Sequence, residues 1–138
     1  MGLYLCVFDN NDEEIDGVDV GSYADFNFFR DTVAANIEGG VYGSICPILQ
    51  NHSDCDGFWT NHEARLLLTE LDLIERTFLT CPPVDFDVPW KVEVARIFGI
   101  KPQNLLECFF DIDGESLTNR IRGLALSCIE ENTIILFQ

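Results

Sequence analysis

Residues 60–78 read TNHEARLLLTELDLIERTF, and the fold class turns on them. Thr60 and Glu63 stand three apart, the spacing of a capping box, in which each residue serves the other's backbone N–H. Ala64, Leu67, Leu68, Leu71, Ile74 and Phe78 then recur on one helical face, and Pro82-Pro83 forbids continuation. An amphipathic helix is therefore expected here, with its apolar stripe on a core. Working outward, Ser22 and Asp25 make a second capping-box start, followed by Phe26, Phe29, Val33 and Ile37 on one face and by Gly39-Gly40 as a stop. Trp90, Val94, Ile97 and Phe98 mark a shorter helix closed by Gly99, and Leu117, Ile121, Leu124 and Cys128 mark a last one.

The chain ends carry a different pattern. GLYLCVF at 2–8 is short, apolar and β-prone, and TIILFQ at 133–138 is its counterpart. SICPILQ at 44–50 reads as a further strand, with Pro47 placing it at an edge or bulge. LLECFF at 105–110 fits a strand or a helical turn equally. The expected class is α+β: one domain over 1–138, with a small sheet whose terminal strands lie centrally, packed by about four helices. Strands and helices partly alternate, so an α/β arrangement stays open.

Composition narrows the function. The chain has 138 residues, 47% of them hydrophobic, which suits a compact domain and not a disordered acidic polymer. Its net charge is −16, from twenty-four acids and eight Lys and Arg, so a nucleic-acid backbone is repelled and a basic partner attracted. Residues 1–64 hold twelve acids and one base, Arg30. The densest run, DNNDEEIDGVD at 9–19, has no base and reads as a loop, either a solvated one or a docking surface. Six cysteines, mostly in apolar runs, read as reduced and buried, with Cys55 in polar surroundings the exception. Residues 3–8 are too short for a signal-peptide core and no run approaches membrane-spanning length, so a cytoplasmic protein is expected.

Chemistry has one candidate seat, HSDCDGFWTNHE at 52–63. Aligned to a calcium loop, Asp54, Asp56, Gly57 and Glu63 fall at positions 3, 5, 6 and 12, but His52 stands first, where a hard cation prefers oxygen. Zinc would draw on His52, Cys55 and His62 without the paired spacing of structural sites. A Cys55 nucleophile with a histidine base lacks any flanking signature. No metal, cofactor or catalytic residue is therefore assigned; a small calcium- or zinc-dependent enzyme or sensor is the alternative. The preferred reading is a helix-entry turn, with Phe58 and Trp59 anchoring it to the core; Trp59 could also serve as a contact.

Taken in order, MGLYLCVFD, GSYADFNFFRDTV, SDCDGFW, DIDGE and ILFQ span the chain from end to end and resemble the bacterial immunity protein 70 family. That resemblance implies a cytoplasmic antidote, not an enzyme, encoded beside the toxin of a polymorphic toxin or contact-dependent inhibition system. Its partner would be the toxin's C-terminal domain, with no nucleic acid or membrane; homodimerisation stays open. It carries no assigned contact residues, so charge supplies the candidates Asp12, Glu13, Glu14, Asp16, Asp19, Asp54 and Asp56, and the enrichment of tryptophan at interface hot spots adds Trp59.

Overall fold

The computed structural model describes residues 2–138. Strand β1 (Gly2–Phe8) pairs antiparallel with β2 (Glu14–Ser22), so most of the acidic run expected as a loop is a strand. The alternation of Val18 and Val20 with Asp19 explains it: both valines are buried, and Val18 stands opposite Leu5. Only residues 9–13 form the turn, closed by the Asp9 N–H donating to the Glu13 carbonyl at 2.8 Å, with Asp12 in the left-handed region at φ 60°. The register slips at both ends of the pair, between Gly2 and Tyr4 and between Val7 and Phe8. Such bulges twist an edge strand and blunt its capacity to pair further.

Helix α1 (Tyr23–Ile37) starts from the expected capping box and buries Phe26, Phe29 and Val33. The next segment departs from expectation. Residues 47–50 are not a strand but one helical turn, α2 (Pro47–Gln50), with Pro47 where its missing N–H costs nothing. Two distant carboxylates hold it. Glu70 accepts the N–H groups of Ile48 and Leu49, both at 3.0 Å, and Glu38 accepts those of Ile45 and Cys46 at 2.9 and 2.8 Å. At the other end Arg30 donates to the carbonyls of Leu49, Gln50 and His52.

A two-residue strand β3 (Phe58–Trp59) leads into α3 (Asn61–Phe78), whose Thr60–Glu63 capping box forms and whose stripe buries Ala64, Leu67, Leu71, Ile74 and Phe78. Helix α4 (Pro89–Phe98) ends at Gly99 in the left-handed conformation, which a glycine adopts without Cβ strain. Its first turn anchors it: the Trp90 indole donates to Asp25 at 2.9 Å, and Lys91 Nζ donates to the Cys108 carbonyl at 2.8 Å. Four phenylalanines, 28, 86, 109 and 110, ring that ammonium at 5.0–5.9 Å. Residues 106–108 form a single 3-10 turn, settling the ambiguous segment as a helical turn. Helix α5 (Leu117–Glu131) and β4 (Ile135–Phe137) follow as read.

The sheet order is β2-β1-β4-β3 with antiparallel neighbours, so the two terminal strands are central. The fold is α+β. One core cluster joins Leu3, Leu5, Val7, Val18, Ile135, Phe137 and Trp59 of the sheet to the buried faces of α1, α3 and α5. Among the described residues, no helix is long and apolar enough to cross a membrane.

Candidate partner-binding surface

Side chains alternate across a strand, so residues interleaved with the core set point the other way. Tyr4, Cys6 and Phe8 of β1, Leu136 of β4 and Phe58 of β3 are that interleaved set, and none of them belongs to the core cluster. The pairings Cys6 with Leu136 and Leu136 with Phe58 lay them in a row across three strands. Phe58, expected as a core anchor, is instead 48% exposed because it alternates with the buried Trp59 on β3, while Tyr4, Phe8 and Leu136 are half-buried. Cys6 is fully buried among them. Burial, and then the nearby Glu14 carboxylate, push its thiol pKa up to about 11, so it stays protonated at neutral pH. Tyr4 lies over Gly17, where any Cβ would meet its ring, and donates to Glu14 at 3.1 Å.

The acids chosen from sequence lie on the β1–β2 hairpin or in the turn before β3. Asp12, Glu13 and Glu14 are exposed on the hairpin, and Asp19 stands opposite Tyr4 on β2. Asp56 is exposed in the turn just before β3. Asp16 departs from the group: paired with Val7, it faces the helices and meets Arg120 of α5 at 3.4 Å. Arg120 also lies 3.3 Å from Asp111 and 3.6 Å from Glu115, and it donates to the Gly17 carbonyl. Asp16 in turn accepts the Gly17 N–H at 2.8 Å. With both backbone groups of Gly17 engaged, the outer edge of β2 is closed to an added strand at that point. Asp54 accepts from the Asn27 amide at 2.8 Å, the main cause holding its carboxyl below the ordinary value. Trp59 is 0% exposed, its indole donating to the Ile48 carbonyl at 3.0 Å, so its contact role is corrected to a core role.

The residues weighed for metal are engaged separately. Both His52 ring nitrogens face carbonyls, of Ser53 at 2.8 Å and Phe58 at 3.0 Å, and Glu63 accepts the Thr60 N–H. Among the described residues no three His, Cys, Asp or Glu side chains are placed to hold a metal ion.

A second surface lies at the far end of α4. Ile97 and Phe98 are exposed there, beside a cleft of about 470 Å³ lined by Ile100, Leu106, Phe109 and Phe110. Its lining is mixed in charge, carrying both Lys101 and Glu107, and Arg96 of α4 is paired with Glu93. The four strands, by contrast, contain no lysine or arginine, and Arg30, the one base of residues 1–64, is buried on backbone carbonyls. Sequence reading missed the apolar sheet face because β1 is apolar at every position from Leu3 to Phe8, leaving no contrast between its two sides.

No curated protein and no solved structure matches the chain. The family model of Immunity protein 70 matches residues 3–137, covering every strand and helix described above from Leu3 onward. The chain therefore belongs to the Immunity protein 70 family, and its membership implies an immunity protein that acts against a toxin.

Proposed function

We propose that this protein is a cytoplasmic antidote that binds the C-terminal toxin domain encoded beside it and neutralises it by occlusion, without chemistry of its own. The toxin domain is basic, such as a nuclease whose substrate the acidic surface replaces. One observation carries the charge argument: burial of Arg30 leaves the described residues 2–64 without an exposed lysine or arginine. A surface of one sign accelerates the approach of an opposite one and disfavours partners of like charge. Family membership supports the antidote role, and the acidic hairpin and the Asp56 turn support a basic partner.

The test is co-expression with the neighbouring toxin domain in cells, followed by purification. Rescue of growth together with a stoichiometric complex is expected. Full toxicity despite abundant, folded antidote would overturn the reading.

A further inference from the structure

The uncovered side of the sheet is apolar from β1 across to β3, with acids along the β2 edge and in the turn before β3. Phe58, Leu136 and Phe8 supply the apolar part, with Tyr4 beside them. Glu14 and Asp19 line the β2 edge, and Asp56 precedes the β3 edge. Strand spacing and rise give this apolar part about 10 Å from β1 to β3 and about 14 Å from Tyr4 to Phe8, on the order of 150 Å². A stable interface needs roughly 800 Å² per partner, with an apolar core and a polar rim. The acids sit where that rim would fall.

We propose that this sheet face is the seat of the toxin domain, taking an apolar patch flanked by lysine and arginine. The inference deepens the antidote reading and rests on it. Two other arrangements fit less well. A second copy of this chain would set the same acidic edges against each other, at a net charge of −16 per copy. The α4 end is also apolar, but its charges cancel, Arg96 being paired with Glu93 and Lys101 sharing the cleft with Glu107, so it offers a basic partner no net attraction. The β2 edge is not open to an added strand at Gly17, because Arg120 and Asp16 already engage its backbone. Contact is face-on, through side chains.

The test measures affinity for the toxin domain encoded beside the gene, by calorimetry, for the native protein and for Phe58→Lys and Phe98→Lys. Phe58 is 48% exposed, so a lysine there leaves the core set intact; Phe58→Ser gives a milder check, and thermal unfolding confirms folding of each. Phe58→Lys is expected to weaken binding about 30-fold or more, as loss of a central contact does. Phe98→Lys is expected to bind like the native protein. Native-like binding by Phe58→Lys, or loss of binding only in Phe98→Lys, would overturn the proposal while leaving the antidote reading intact. Sedimentation showing a native dimer that Phe58→Lys splits without affecting toxin affinity would assign the face to self-association and also overturn it. If the native protein binds no toxin domain, the antidote reading itself fails and the seat falls with it.

Discussion

Glu38 is 4% exposed, and its two carboxylate oxygens accept from Ile45, Cys46 and the Gln50 amide. Burial raises its pKa, but these donors outweigh burial and leave it below the ordinary carboxylate value. A carboxyl depressed on folding stabilises the fold above its unfolded pKa, roughly 4.3, and that contribution is lost as pH falls through the folded value. Glu38→Gln is therefore expected to flatten the acid limb of the stability curve below about pH 5, measured by urea unfolding at a series of pH values. Glu38→Ala removes the partner of two N–H groups and is expected to cost about 2 kcal/mol or more at neutral pH. Glu70 acts in the opposite sense: burial dominates over the Leu49 and Ile48 N–H groups, and its pKa is raised. The cysteines give a second check at this scale. Burial, then Glu70 and Glu38, push Cys46 up to about 12, while Cys55 is exposed. A bulky alkylating reagent at neutral pH is expected to label Cys55 first and to leave Cys6, Cys46, Cys108 and Cys128 unmodified in the native protein. Intact mass spectrometry reads the outcome, and rapid labelling of four sites would contradict the packing.

The elements differ in how far their causes lie from them. Helices α1 and α3 have local causes: a capping box at the start, a stripe at helical spacing, and a stop, all legible in sequence. Thr60→Ala is accordingly expected to lower stability by about 1 kcal/mol in denaturant unfolding, since only the cap is lost. An unchanged midpoint would show that Glu63 and solvent satisfy the helix start unaided. Helix α2 has remote causes, namely Glu38, Arg30 and Glu70, which stand 9, 17 and 20 residues from its nearer end and are invisible in SICPILQ itself. Pro47 was legible as a break from regular pairing, but not as the first residue of a turn. Strand β2 was hidden differently: its acids resemble a loop, while the alternation of Val18 and Val20 that reveals a strand is only two residues long. Strand β3 has two residues, too few for any period, and exists because β4 offers it a partner.

At the scale of the whole molecule, charge and topology act together. The sequence shows an acid-rich first half, but it does not show that β2 and β3 become opposite edges of one sheet. Nor does it show that Asp16 turns inward to Arg120, or that Trp59 closes the core. What remains outward is Asp12, Glu13, Glu14, Asp19 and Asp56, around a face without lysine or arginine. Charges of this kind act on association more than on dissociation, and salt screens them beyond about 10 Å at 0.1 M. The direct measurement is the association rate with the neighbouring toxin domain as a function of ionic strength. It compares the native protein with a variant carrying Asn or Gln at those five positions. The native protein is expected to associate about tenfold faster at low salt, with a steep decline as salt rises, while the variant gives a shallow curve and similar dissociation. Two superimposable curves, with binding intact in both, would contradict the account and reduce the acidic edges to a solubility device.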